Sequence, residues 1–342
     1  MMAKQRIRHL FPGSNTAAGF VGFFQDLQRQ SGRTVILKGG PGVGKSTLMG
    51  QVGKHFEEKG MDVNYYHCSG DPDSLDVVWA PAADFLILDG TAPHIVDPKY
   101  PGARDGILNL GVCLDEGQMA AQAAEIEQIS QAISGCYARA YRYLSAAKAL
   151  RADAAAVYDA ALDRKARRDI QRQLSSLLPS GPEGGEDHIF AQAITWKGVL
   201  QEIDSILADN VCCIDAPWGF DIDSLLRQVW AAAGQSRLRR TACHDPLDAL
   251  GLAHVIAGNT LFTTAVLLDA PVLAPEFDKG ALQKEAQRLA FDKAVYDLTL
   301  NQAIDALAEA KQRHDALERY YIDAMDYARL DDIKAEFLNN LP

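Results

Sequence analysis

The stretch Thr34-Val-Ile-Leu-Lys-Gly-Gly-Pro-Gly-Val-Gly-Lys-Ser-Thr-Leu-Met49 constrains the fold of this chain more than any other. A β-branched and apolar run enters a glycine-rich loop, and the loop opens into a helix near Lys45. Gly39, Gly44, Lys45 and Ser46 satisfy G-x-x-x-x-G-K-[ST], the P-loop of nucleoside triphosphate hydrolases and kinases. Glycines let the backbone curl so that successive N–H groups face a phosphate, and the helix N-terminus adds partial positive charge. Gly40, Pro41, Gly42, Val43, Gly44, Lys45, Ser46 and Thr47 are therefore the expected nucleotide contacts. In that arrangement Lys45 reaches the β/γ-phosphates and Ser46 ligates Mg²⁺.

The chain is also internally duplicated, which predicts two similar domains. His9-Leu-Phe-Pro-Gly-Ser-Asn-Thr-Ala-Ala-Gly19 aligns with His188-Ile-Phe-Ala-Gln-Ala-Ile-Thr-Trp-Lys-Gly198. Leu37 to Val52 aligns with Ile214 to Val229, Asp71-Pro72 with Asp245-Pro246, Thr91 with Thr260, and Asp163 to Pro179 with Asp326 to Pro342. The linker is Ser180-Gly-Pro-Glu-Gly-Gly-Glu-Asp187, whose Gly, Pro and acid content suits an exposed connection.

In the first copy the pattern predicts strand Thr34–Lys38, helix Lys45–Lys59, strand Asp62–Cys68, a loop, and strand Phe85–Asp89. Apolar strands alternating with amphipathic helices imply an α/β fold with a parallel sheet. Beyond each core, long Ala-rich stretches place apolar residues three and four apart, among them Ile126, Ile133, Tyr137 and Leu144, then Leu307, Leu317 and Tyr321. They read as helical hairpins. The expected architecture is two tandem P-loop NTPase domains, parallel sheets flanked by helices. The first spans 1–180, with core 1–115 and hairpin 116–180. The second spans 181–342, with core 186–275 and hairpin 276–342.

The second loop, Ile214-Asp-Ala-Pro-Trp-Gly-Phe-Asp-Ile-Asp-Ser-Leu225, has lost its chemistry. Asp221, Ile222 and Asp223 stand where Gly44, Lys45 and Ser46 stood, so carboxylates occupy the mouth of the cradle and oppose an anion. One competent site is expected, and residues shared by both copies (Thr16, Gly19, Asp71, Pro72, Thr91, His9, Phe11) read as architectural.

Phe85-Leu-Ile-Leu-Asp89 has the pattern of a Walker B strand, with Asp89 serving Mg²⁺; its aligned counterpart is Gly258. Asp73 and Asp76, aligned with Leu247 and Leu250, follow the second strand, where α/β sheets bind ligands. Asp73 and Asp76 are candidates for positioning water or a phosphoryl acceptor, His94 for contacting the γ-phosphate or a second substrate, and Lys99 and Arg104 for clamping phosphate. His67 and Cys68 lack further ligands at metal spacing and read as a packed strand end.

With 48% hydrophobic and 23% charged residues and a net charge of −11, the chain is a globular protein without a basic face for nucleic acid. The basic clusters at 164–168 and 237–240 read as solvated faces. Met1 to Arg8 lacks an apolar signal core, and no apolar run has membrane-spanning length. The six scattered cysteines form no C-x-x-C pair, so a reduced cytoplasmic protein is expected.

His9-Leu-Phe-Pro-Gly, Leu37 to Ser46, His67-Cys-Ser-Gly-Asp-Pro-Asp-Ser-Leu-Asp76 and Leu88-Asp-Gly-Thr-Ala-Pro-His-Ile-Val-Asp-Pro-Lys-Tyr-Pro-Gly102 together resemble a family of uncharacterised bacterial two-repeat P-loop proteins, labelled ATPase or nucleotide-kinase-like. The resemblance covers the whole chain and implies ATP binding; some relatives keep a more intact second loop, from which this chain departs. The expectation is an Mg²⁺-dependent ATPase using Lys45, Ser46, Thr47 and Asp89. No guanine signature is present, which leans to ATP over GTP. The alternatives are a small-molecule or nucleotide kinase, or a nucleotide-gated switch whose helical hairpins engage a protein partner.

Overall fold

The computed structural model describes residues 5–179, 183–265 and 270–342; Met1 to Lys4, and Ser180 to Pro182 of the linker, lie outside it. The first copy contains β1 (Ile7–Leu10), β2 (Gly13–Thr16), β3 (Gly19–Gly22), α1 (Phe24–Gln30), β4 (Arg33–Lys38), α2 (Lys45–Glu58), β5 (Val63–His67), β6 (Leu75–Ala80), β7 (Phe85–Asp89) and β8 (Asp105–Asn109). The helices α3 (Glu116–Ala121), α4 (Ala123–Ala161) and α5 (Arg164–Ser176) follow. The second copy repeats the order as β9 (Glu186–Ile189), β10 (Gln192–Thr195), β11 (Gly198–Gln201), β12 (Asn210–Ile214), α6 (Asp223–Gln235), β13 (Arg240–His244), β14 (Leu252–Ala257), β15 (Thr260–Thr263) and β16 (Val272–Leu273). It closes with α7 (Lys279–Asp323) and α8 (Tyr327–Asn339).

Each copy forms a six-stranded sheet, ordered β1-β5-β6-β7-β4-β8 and, in the same sense, β9-β13-β14-β15-β12-β16. The sheets are mixed rather than parallel: β6 runs antiparallel to both β5 and β7, and β14 to both β13 and β15. The reason is connection length. Residues 68–74 and 81–84 are too few for a crossover, so Leu75–Ala80 returns as a hairpin strand. It occupies what the periodicity assigned to a loop.

The strand registers also correct the alignment of the two copies. Val77 pairs with Leu88 where His254 pairs with Thr263, so Asp89 corresponds to Thr264 and not to Gly258. His67 Nδ1 lies 3.0 Å from Pro72 O, and His244 Nδ1 lies 2.7 Å from Ala249 O. Asp71 therefore corresponds to Asp248, Asp73 to Leu250 and Asp76 to Ala253. The Asp-Pro dipeptides recur because turns favour them, three residues out of step.

The expected helical hairpins are absent. α4 and α7 are single helices of 39 and 45 residues, about 58 and 68 Å long. Neither contains proline, so nothing breaks them. They pack antiparallel on one another through Ala140, Leu144 and Ala147 against Ala303, Ala306 and Leu307, with Arg139–Glu309 and Arg288–Asp153 pairs alongside. Small side chains let the axes approach closely, and ionic pairs flank the seam.

Each long helix thus carries its terminal helix to the other copy. Asp163 and Asp326 cap these terminal helices, accepting from Ala166 N at 2.8 Å and from Arg329 N at 3.0 Å. α5 buries Ile170 and Leu174 in the second core against Leu225, Leu226 and Val229. α8 buries Leu330 in the first core with Leu48, Met49 and Val52. A pseudo-twofold axis passes between Phe11 and Phe190, whose backbones exchange hydrogen bonds of 3.0 and 3.2 Å. Leu10, Tyr66, Ile189 and Cys243 share one core across that axis. No helix among the described residues is long and apolar enough to cross a membrane.

Leu330→Ala and Ile170→Ala are each expected to cost about 2–5 kcal/mol, measured by urea unfolding. The exchange sets where the damage shows. Hydrogen exchange should rise in α2 for Leu330→Ala and in α6 for Ile170→Ala, each in the copy that does not contain the substitution.

Candidate functional site

The glycine-rich loop leaves β4 and enters α2 with Gly39, Gly42 and Gly44 at φ of 145, 72 and 84°, values that side chains other than glycine's rarely tolerate. Val43 turns inward and is 1% exposed, so it offers the site only its backbone. The Lys45 ammonium folds back into the loop, donating to Gly39 O at 3.1 Å and Gly40 O at 2.7 Å, and lies 3.5 Å from Asp89 Oδ2. Thr91 N and Oγ1 both donate to Asp89 Oδ1, at 2.9 and 2.6 Å, which leaves Oδ2 facing the lysine. Ser46 Oγ accepts from Leu75 N at 3.0 Å and keeps its proton and a second lone pair. Asp223 accepts the equivalent bond from Leu252 N at 2.8 Å, so this contact belongs to the scaffold of both copies. Thr47 is exposed on the first turn of α2.

The loop is covered from outside its own copy. The Tyr321 ring at the end of α7 packs on Gly40, so close that a methyl group there would lie 2.2 Å from it. Ile322 packs on Gly42, and Lys334 Nζ from α8 would meet a Cβ on Gly44 at 2.8 Å. Lys334 aligns with Gln171, so this cation reaches only the first loop. Proximity in sequence gave no sign of it, because the exchange of helices brings it there. The arginines at 237–240 do not reach the loop: Arg237 pairs with Glu183, Arg239 with Asp187, and Arg240 with Glu186 over the Trp230 ring.

Behind Lys45 and Asp89 lies a buried cluster. Asp76 on β6 is 4% exposed and His94 is 9% exposed, with His94 Nε2 3.5 Å from Asp76 Oδ2. Cys68, following β5, completes a group whose ligating atoms all fall within 4.8 Å of one another. Burial, with the Asp89 charge nearby, pushes the Asp76 carboxyl well above the usual carboxylate range. Burial, reinforced by Asp76, likewise raises the Cys68 thiol, and burial lowers His94 to about 4. His94 is gripped by Phe24, ring centroids 4.5 Å apart. Its segment is tied to β4 by Lys38, which donates to Gly90 O at 2.8 Å and Val96 O at 2.9 Å.

Other candidates lie elsewhere. Asp73 is exposed and paired with Lys197 of the second copy at 2.6 Å. Arg104 donates to Gly32 O and Ser31 O, and Lys99 N to Asp105 Oδ2, at the start of β4 and β8. Since β8 runs parallel to β4, that end of the sheet is opposite the glycine loop, so neither cation clamps a ligand there. His9 and His67 make a 2.9 Å contact repeated by His188 and His244, and Thr16 Oγ1 donates to Gly19 O as Thr195 does to Gly198 O. These are shared architecture, as the duplication predicts. Thr91 is not in that class, since it braces Asp89 and its aligned partner Thr260 pairs in the register of Phe85.

The family described as Nephrocystin 3, N-terminal matches residues 22–78, which run from the end of β3 through the glycine loop to β6. No curated protein and no solved structure gives a significant match. The match is a hint of nucleotide binding confined to one stretch of the first copy.

In the second copy the loop keeps one positive-φ glycine, Gly219 at 88°, against which Ala154 of α4 packs. Trp218 fills the space beside Tyr296, ring centroids 5.1 Å apart. His254, 1% exposed, takes a core position and is held by burial at about 4, against 6.5 when free. In the unfolded chain it protonates near 6.5, so its share of stability is complete above that pH and is lost as pH falls toward 4. The loss is about 3 kcal/mol. His254→Gln should flatten that part of the stability–pH profile in urea unfolding, while His94 and His244 keep the remainder.

Proposed function

We propose that the chain is an Mg²⁺-dependent ATP-binding protein and ATPase with one competent P-loop, residues 39–46, closed by an arm from its degenerate second copy. The observation that carries this reading is the glycine loop wrapped around Lys45 with Asp89 3.5 Å away, in one copy and not the other. The Lys45 ammonium satisfies loop carbonyls that it would exchange for phosphate oxygens, and Gly40 to Gly44 would present backbone N–H groups to the β-phosphate.

The residues present suit a hard divalent cation. Ser46 Oγ has a lone pair to give, and Asp89 Oδ2, with Oδ1 braced by Thr91, faces the Lys45 ammonium in the loop. When bound, Mg²⁺ neutralises charge on the β- and γ-phosphates. The chain's own part is to hold the triphosphate at Lys45, exclude water beneath Tyr321 and Ile322, and offer Lys334 to charge developing on the transferred group. Asp76 and His94, in contact with each other near Asp89, would be the groups to orient an attacking water or acceptor hydroxyl.

The covering arm favours nucleotide-gated behaviour as a second reading, since a triphosphate entering the loop must displace Tyr321 or be enclosed by it. Protein partners would then sense α7 and α8. A kinase activity with a small acceptor differs from hydrolysis in its products, so a phosphorylated acceptor in place of free phosphate would decide for it.

Lys45→Ala should weaken ATP binding at least about thirtyfold by calorimetry, because an ion pair loses one partner; unchanged affinity would end this reading. Lys334→Ala should leave ATP affinity within a few-fold and slow phosphate release at least about tenfold, the direction set by a cation that acts on the transition state.

A further inference from the structure

Among the described residues, Cys68, Asp76 and His94 bring together a thiol, a carboxyl and an imidazole, the last two buried. We propose that Cys68 Sγ, the Asp76 carboxylate and His94 Nε2 form a binding site for a borderline divalent transition-metal ion, zinc first. This inference does not depend on the nucleotide reading.

Three successive segments converge here: the turn after β5, the strand β6, and the loop after β7. Their ligating atoms lie within 4.8 Å of one another. Asp76 is 4% exposed, and its Oδ2 has no hydrogen-bond partner among the described residues. A buried carboxyl oxygen without a partner costs about 1–3 kcal/mol, which coordination to a cation would recover. His94 does not do so as a hydrogen-bond donor, since the 3.5 Å separation is too long for a good one. It is the right separation for two ligands of a shared ion, because donors each about 2.1 Å from a tetrahedral zinc lie about 3.4 Å apart. Cys68 needs only to close on that pair.

The donor set selects the metal. Sulfur, imidazole and carboxylate together suit zinc and its neighbours, whereas Mg²⁺ and Ca²⁺ take oxygen. This ion is thus distinct from any Mg²⁺ held by Ser46 and Asp89. The His94 ring is fixed before any ion arrives, packed on Phe24 and Phe20 with centroids 4.5 and 5.8 Å away. Its Nδ1 likewise has no partner among the described residues. In the second copy Asp245 and Ala253 replace Cys68 and Asp76, and Asp245 is engaged by Arg151 at 2.7 Å. The set exists only where the glycine loop is intact.

Three protein donors leave one tetrahedral position, the arrangement of zinc sites that hold a water or a substrate atom. Leu75, which Ser46 Oγ holds by its N–H, immediately precedes Asp76, so the site lies one residue from a contact with the start of α2. The second cluster of potential ligands, His314, Asp315 and Glu318, lies on α7 with Asp315 paired to Lys311 and His314 facing Glu318, and carries no comparable argument.

The test uses the full chain, reduced and stripped with chelator, titrated with Co²⁺ alone and without nucleotide. One equivalent should give intense visible bands of tetrahedral cobalt and a near-ultraviolet thiolate-to-cobalt band, both removed by one equivalent of Zn²⁺. Cys68→Ser should abolish the thiolate band and, with Asp76→Asn and His94→Gln, weaken zinc binding at least about tenfold in competition with a chromophoric chelator. Cys113→Ser should change nothing. Circular dichroism checks each fold, and where one variant misfolds the other two read the same quantity. Weak octahedral cobalt absorption in the parent protein, or a thiolate band that persists in Cys68→Ser, overturns the proposal.

Discussion

The antiparallel seam between α4 and α7 governs the rest of this structure. Two helices of 39 and 45 residues are too long to lie on the sheet that each leaves, and their alanine faces find one another instead. Once they pair head to tail, each terminal helix must arrive at the opposite sheet. Leu330 then completes a core built by α2, and Ile170 and Leu174 complete one built by α6. The division near residue 180 is real along the sequence and absent from the packing. Neither sheet has a closed core without the other copy's arm.

The glycine loop, its strand, the opening of α2 and the Asp89 strand were legible because each rests on local pattern: β-branched runs, obligatory glycines and a glycine-led helix start. The duplication was legible because residues at turns and on the pseudo-axis, such as Thr16, Gly19 and Phe11, repeat with their roles. β6 was missed because a six-residue apolar strand between two short turns carries little period of its own. The exchange was missed for a different reason. A heptad-like face announces that a helix is buried, but not which helix covers it, and a hairpin and a swap satisfy the same face equally.

The candidate site residues divide along the same line. Lys45, Ser46 and Asp89 were readable from spacing. Lys334 and Tyr321 were not, since nothing in their neighbourhood differs from an ordinary amphipathic helix until α8 is placed on the loop. Cys68 looked like a packed strand end because its companions, Asp76 and His94, come from a hairpin strand and a later loop rather than from metal-type spacing. The two glycine-led loops differ across the pseudo-axis. The intact loop receives Lys45 and Lys334, whereas its twin receives Trp218, Ala154 and two carboxylates, and keeps its fold by filling the cradle with apolar contacts.

The docking of α8 onto α2 joins segments separated by nearly the whole chain. During synthesis the first sheet emerges early, yet the core around Leu48, Met49 and Val52 is completed only when Leu330 has left the ribosome. Such long-range closure is slow, because loop entropy must be lost before the contact is gained, and an incomplete apolar face is prone to associate while it waits. The same closing step seats Lys334 beside Gly44, so the cover of the glycine loop comes with the last helix of the chain.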